Sequence, residues 1–200
     1  AAAADVVAYD AVPTPLPGNL TSLGFEATST SEFGGLVETA GTNGASPTVS
    51  VAMSSWGCED GGGPTCTTTP GATFDHPITL RLYARGPGDA PGALLASQTR
   101  TFAFPYRPSA DPLCGSGWTP DGGATCFSGR AVLITFDPLP VAIPDEVILT
   151  VSYDTTHHGP APIGEGAPCF TQSGGCGYDS LNVGLRGAPF LGAQPRPADA

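Results

Sequence analysis

The large aromatic residues of this chain gather beside its cysteines. Trp56 lies two residues before Cys58, Trp118 lies between Cys114 and Cys126, Phe127 follows Cys126, Phe170 follows Cys169, and Tyr178 lies two after Cys176. An exposed aromatic face stacks on a sugar ring, and polar residues of the same loops then hydrogen-bond the hydroxyls. Trp56, Trp118, Tyr178 and Phe170 are therefore the candidate ligand-binding residues, with cell-surface or extracellular glycan as the ligand. The competing explanation is structural, because Trp and Phe also cover disulfides and act as small cores for long loops. Solvent exposure separates the two. Binding requires Trp56, Trp118 and Tyr178 at one end of the domain with at least two rings partly exposed, since a soluble domain gains nothing from exposed tryptophan unless a partner covers it.

Other residue types offer weaker chemistry. The histidines are His76, His157 and His158. On a strand, His157 and His158 point to opposite faces; only in a turn before Gly159-Pro160 do they come together as metal ligands, with Asp154 or His76 completing the set. Calcium prefers carboxylates beside flexible carbonyls, which Asp60 and Asp121 in their Gly-rich turns provide; solvated acidic turns explain the same residues. Neither turn has EF-hand spacing, and no cofactor is implied. No Gly-x-Ser-x-Gly elbow occurs, and Gly115-Ser116-Gly117 reads as a turn. A glycosidase needs two carboxylates facing each other across a cleft. Asp145 and Glu146 are adjacent at a strand start and point apart, whereas Glu26, Glu32 and Glu38 fall on neighbouring strands. No catalytic residue is assigned, and a hydrolase with an unrecognised carboxylate pair stands last among the functions considered.

Charge narrows the partners further. There are 18 acidic and 7 basic residues for a net charge of −11, and every basic residue is arginine. Polyanion binding needs clustered cations, so nucleic acid and anionic membrane surfaces are excluded as partners. Lysine chemistry, including Schiff bases and the phosphate-binding lysine of a P-loop, is absent as well. No apolar run approaches the ~20 residues that span a bilayer, so no membrane insertion is expected.

The cysteines fall into local pairs, Cys58 with Cys66, Cys114 with Cys126 and Cys169 with Cys176. Six cysteines allow 15 connectivities, and the sequential one closes the shortest loops. An even count with turn-rich spacing indicates an oxidising, extracytoplasmic compartment. Ala1–Ala4 suits the remnant of a signal-peptide cleavage site. Asn19-Leu20-Thr21 matches the N-glycosylation acceptor pattern, which is short and frequent by chance.

Strands must position these groups. There are 28 Gly and 22 Pro, and they cluster between apolar segments as turn formers. Phe25 to Ser29 and Leu36 to Ala40 are short strands hinged at Gly34-Gly35. Val49 to Trp56 alternates, with Val49, Val51 and Met53 on one face. Ile78 to Ala84 turns Ile78, Leu80 and Leu82 inward, and Leu94 to Phe104 returns as its hairpin partner with a bulge. Ala131 to Phe136 and Glu146 to Tyr153 form a second pair, with Val147, Leu149, Val151 and Tyr153 inward. Ser180 to Leu185 is the last strand. Gly or Pro interrupts almost every window long enough to hold three helical turns, and no convincing helix stands out. The expected fold is all-β, an antiparallel β-sandwich or jelly roll of about 7–9 strands with long disulfide-bridged loops. A proline-rich N-terminal arm covers 1–24, the sandwich 25–185 and a C-terminal tail 186–200. Val51, Leu80, Leu82, Ile134, Leu149 and Val151 are its expected buried core.

Three stretches carry a resemblance: YDAVPTPLPGNLTSLGFEATSTSEF from Tyr9 to Phe33, the hairpin ITLRLYARGPGDAPGALLASQT and the ending YDSLNVGL. They resemble exported bacterial proteins of actinobacterial type whose activity is unknown, and the likeness covers most of the chain. It implies export and a β-sandwich, and it implies no activity. The leading function is thus a secreted or cell-surface, non-catalytic domain binding glycan or a surface protein. The alternative is a structural subunit that self-associates through its terminal arms.

Overall fold

Alternation of apolar and polar residues dictates the strands. In β4 (Thr73–Arg85), Phe74, His76, Ile78, Leu80 and Leu82 are buried, while each residue between them is exposed or half-buried. Period-2 burial of this kind is what a strand with one covered face requires. Pro77 cannot donate to a ladder. It is tolerated because β7 (Glu146–Ser152) pairs with β4 only from Thr79 to Ala84, leaving that flank of Pro77 unpaired by β7.

The computed structural model describes residues 6–24, 30–40, 46–153 and 181–185. Two four-stranded antiparallel sheets face each other. One has the order β1 (Ser22–Leu23), β8 (Leu181–Gly184), β3 (Ser50–Ser55), β6 (Arg130–Thr135); the other has β2 (Phe33–Glu38), β7, β4, β5 (Pro91–Pro105). The pairs β1–β8, β2–β7, β3–β6 and β4–β5 are nested, as if one long hairpin had been rolled up. That nesting defines a jelly roll. Only short 3₁₀ turns interrupt the strands among the described residues.

Both sheets feed one core. Phe33, Ile78, Leu80, Leu82, Val147 and Val151 meet Met53, Ile134, Leu181 and Val183. Each such side chain contributes roughly 1.5–3 kcal/mol by leaving water. On the β5–β6 side, Phe102 meets Phe136 edge to face at 5.0 Å, and Arg100 reaches across to the Thr135 carbonyl and to Asp137.

Four sequence expectations need correction. Ala131 to Phe136 and Glu146 to Tyr153 do not pair with each other; they lie in different sheets, β6 beside β3 and β7 between β2 and β4. Gly34-Gly35 is no hinge; both residues lie inside β2, paired with Thr150 and Leu149. A Cβ on Gly34 would collide with the Leu149 carbonyl and the Thr150 backbone, so glycine is there for close strand approach. Leu80, Leu82, Ile134 and Val151 are buried, but Val51 and Leu149 are only half-buried. Leu149 lies opposite Gly35, which has no side chain to cover it, and β8 flanks β3 only from Met53 to Ser55, short of Val51. Finally, the N-terminal arm enters the sandwich before residue 25. Gly18 O accepts from Ala131 N, and Ser22–Leu23 pairs with β8.

Candidate functional site

Strand directions bring the cysteine loops together. The β3–β4 connection, with Cys58 and Cys66, leaves after Ser55, and the β5–β6 connection, with Cys114 and Cys126, returns at Arg130; Ser55 and Arg130 are cross-strand partners. The β7–β8 connection starts after Ser152 and ends at Leu181, which pairs with Ser55. All three connections therefore begin and end at one end of the jelly roll. Cys169, Cys176, Phe170, Tyr178, His157, His158, Asp154 and the tail 186–200 lie outside the described residues, as does Glu26.

Cys58–Cys66 and Cys114–Cys126 are bridged as the sequence suggests, with Cα separations of 5.6 and 5.5 Å. Sequence reasoning missed the residue that joins the two loops. Arg107 is buried, and its guanidinium donates from Nε to Cys58 Sγ at 3.2 Å, from Nη2 to Gly63 O at 2.9 Å and from Nη1 to Ser116 O at 2.7 Å. Its backbone N–H donates to Gly57 O at 2.9 Å. The guanidinium's rigid, five-donor fork suits such carbonyl clusters. The sequence signal was a lone cation in an apolar, proline-flanked stretch, Phe104-Pro105-Tyr106-Arg107-Pro108, between two cysteine pairs.

Each loop also carries a carboxylate that pins its own backbone. Glu59 Oε2 accepts from Thr69 N at 2.5 Å, and this backbone N–H holds the Glu59 carboxyl below its usual value. Asp121 Oδ1 accepts from Thr119 Oγ1 at 2.7 Å and Thr125 N at 2.8 Å. The Thr119 hydroxyl first, then the Thr125 amide, lowers the Asp121 carboxyl likewise. Asp60 is exposed, and its backbone bridges Thr67. Among the described residues no three His, Cys, Asp or Glu side chains converge as metal ligands. His76 is buried, with its ring edge to face with Tyr153 at 6.0 Å.

The two tryptophans come from different loops and meet at Gly129. Trp118 Nε1 donates to Gly129 O at 2.8 Å, and its ring tilts against Phe127 at 5.3 Å. Trp56 Nε1 donates to Ser54 Oγ at 2.9 Å, and Ser54 Oγ donates to Asn19 Oδ1 at 2.6 Å. A Cβ on Gly129 would lie 2.6 Å from both Ser54 Oγ and Trp56 Nε1, so only glycine admits this approach. Both rings are half-buried, neither sealed nor free. Their N–H groups are taken internally, which fixes ring orientation and leaves the ring surfaces as the contact chemistry. Leu113, in the same loop as Trp118, is 70% exposed.

A second polar cluster lies on the outer face of the β2–β7–β4 sheet. Glu32 accepts from Arg81 Nη1 at 3.1 Å, from Tyr83 OH at 3.1 Å and from the Thr150 hydroxyl. Burial first, and then the Glu32 carboxylate, pushes the Tyr83 hydroxyl up. Glu32 precedes β2 and Glu38 ends it, so the two belong to one strand rather than two, about 20 Å apart at ~3.3 Å per residue. That exceeds the ~5–9.5 Å a carboxylate pair needs for glycoside hydrolysis. Glu38 lies opposite Glu146 in the ladder, so their side chains leave the same face side by side, and Arg85 pairs with Glu146 at 2.5 Å.

No family model, curated protein or solved structure matches this chain.

Proposed function

We propose that this chain is an exported, non-catalytic domain that binds extracellular carbohydrate with the cysteine-loop end of its jelly roll. The observation that carries the reading is the convergence of Trp56 and Trp118, from two separately bridged loops, onto Gly129 with both rings half-exposed. Bridges and the Arg107 clamp pre-fix the loops, so binding loses little loop entropy. Aromatic rings held rigidly at a surface suit sugar stacking. The two disulfides support an oxidising compartment. Assembly through the N-terminal arm is the weaker reading, because Gly18, Asn19 and Ser22–Leu23 are already engaged by Ala131, Ser54 and β8 of the same chain.

The chain has only two tryptophans, both at this site, so intrinsic emission reads it directly. Titration with a panel of soluble polysaccharides should shift that emission for at least one class. A panel that leaves both emission and electrophoretic mobility unchanged would overturn the proposal.

A further inference from the structure

Arg130, the first residue of β6, follows Gly129 directly and lines a groove of about 410 Å³ with Thr68, Pro70, Tyr106, Pro108 and Ser109. That volume lies within the roughly 300–1,000 Å³ of small-molecule sites. The walls are tied together: Thr68 N donates to Ser109 Oγ at 2.9 Å, and Ser109 Oγ donates to Thr68 O at 3.3 Å. Tyr106 is braced by Phe74 at 4.9 Å between ring centres. The groove therefore exists before any ligand arrives.

The charge in it is the unusual part. Arg81 pairs with Glu32, Arg85 with Asp89 and Glu146, and Arg100 with Asp137. Arg107 is sealed among Cys58, Gly63 and Ser116. Arg130 is half-buried yet meets no carboxylate among the described residues, in a chain whose net charge is −11. A guanidinium with no carboxylate partner attracts an incoming anionic group through charge-assisted hydrogen bonds. A planar guanidinium matches a carboxylate in two parallel hydrogen bonds. The net negative charge meanwhile repels polyanions in general, so one local contact must dominate.

We infer that this groove is the subsite for a uronic acid unit of an extracellular polysaccharide, with Arg130 taking the carboxylate and Tyr106 lying along the sugar ring. The inference rests on the carbohydrate reading and names its substrate class. The Thr68 hydroxyl, which accepts from Glu59 N, keeps its proton to donate to a sugar oxygen.

Affinity electrophoresis of the full chain separates the cases, using gels that contain polygalacturonate, alginate or hyaluronate, methyl-esterified polygalacturonate, dextran sulfate, or neutral dextran and xylan. At least one polyuronate should retard the chain, and Arg130→Gln should weaken that retention roughly ten- to a hundredfold, the worth of a charge-assisted pair. Esterification should do the same, and Arg130→Lys should be intermediate. The melting temperature of Arg130→Gln should stay close to that of the parent, which shows that the fold is intact. Unchanged polyuronate binding by Arg130→Gln overturns the inference. Equal, Arg130-dependent retention on dextran sulfate also overturns it, in favour of a general anion site. Retention on neutral polysaccharide alone overturns it while leaving the carbohydrate reading standing. No retention on any gel, with tryptophan emission unchanged, overturns both.

Discussion

Arg107 donates from Nη1 to the Ser116 carbonyl at 2.7 Å, a bond that ties the second cysteine loop to a guanidinium already held by Cys58 and Gly63 of the first. Replacing it with Met keeps apolar bulk but removes the donors that serve Cys58 Sγ, the half-buried Gly63 carbonyl and the carbonyl of exposed Ser116. Each lost bond to a charged donor is worth about 1.5–3 kcal/mol and the losses are not additive. Arg107→Met should therefore lower stability by about 3 kcal/mol, read as a lower urea midpoint at unchanged slope. A loss below about 1 kcal/mol would mean that the loops stand without the clamp.

The two faces of the sandwich make opposite predictions. Leu82 is 1% exposed and points into the core, whereas Leu133 in β6 is 44% exposed. Leu82→Ala should cost about 2–5 kcal/mol through lost burial and the cavity left behind. Leu133→Ala should change stability by no more than about 0.5 kcal/mol. Equal effects would mean that the assigned faces are wrong.

Much of this architecture was legible because it is periodic. Ile78, Leu80 and Leu82 alternate without interruption, and the Gly- and Pro-rich stretch Gly86 to Ala90 marks a turn, so the β4–β5 hairpin followed from local sequence. The jelly-roll nesting did not, because β1–β8 and β2–β7 join residues more than a hundred positions apart, and nothing local encodes that pairing. Gly34-Gly35 misled, since glycine signals a break unless a neighbouring backbone comes close, as Leu149 and Thr150 do here. At the candidate site, the aromatics beside cysteines were visible. Arg107 and Gly129 were not, because burial of an arginine and a close approach to a glycine are set by loops folding onto each other.

The cysteine framework predicts its own remainder. With Cys58–Cys66 and Cys114–Cys126 formed, non-reducing peptide mapping should find Cys169 joined to Cys176. Replacing Cys114 and Cys126 by Ser should remove about 2–3 kcal/mol, the chain-entropy contribution of a loop this short. Any crossed pair in the map would sink the sequential framework.

Acid should loosen both bridged loops before it unfolds the sandwich. Glu59 and Asp121 have carboxyls held below their ordinary values of 4.5 and 3.8 by the Thr69 amide and by Thr119 and Thr125. A folded value below the unfolded one gives stability that is fully present above the ordinary value. It is lost as pH falls through the lowered one. The amide resonances of Thr69 and Thr125 should therefore titrate with midpoints under 4.5 and 3.8. Midpoints at or above those values would show that the two hydrogen bonds do not persist in solution.

Gly129 offers the sharpest test of where binding occurs. It is buried, and an added Cβ would lie 2.6 Å from Trp56 Nε1 and 2.6 Å from Ser54 Oγ, closer than such atoms approach. Ser54 is held by Asn19 on its other side, so it cannot retreat far. The indole of Trp56 must turn outward. Overpacking of this kind costs about 1–3 kcal/mol, leaving a folded protein with one displaced ring. Gly129→Ala should red-shift tryptophan emission, because the ring loses its Ser54 partner and gains water, and it should weaken polysaccharide retention. Leu133→Ala, a surface change in the same strand system, should do neither. If Gly129→Ala shifts the emission while retention stays intact, Trp56 is a structural cover for its disulfide loop and the sugar binds elsewhere. If the emission does not move, the close approach of Gly129 to the indole is absent in solution, and the convergence of the two tryptophans goes with it.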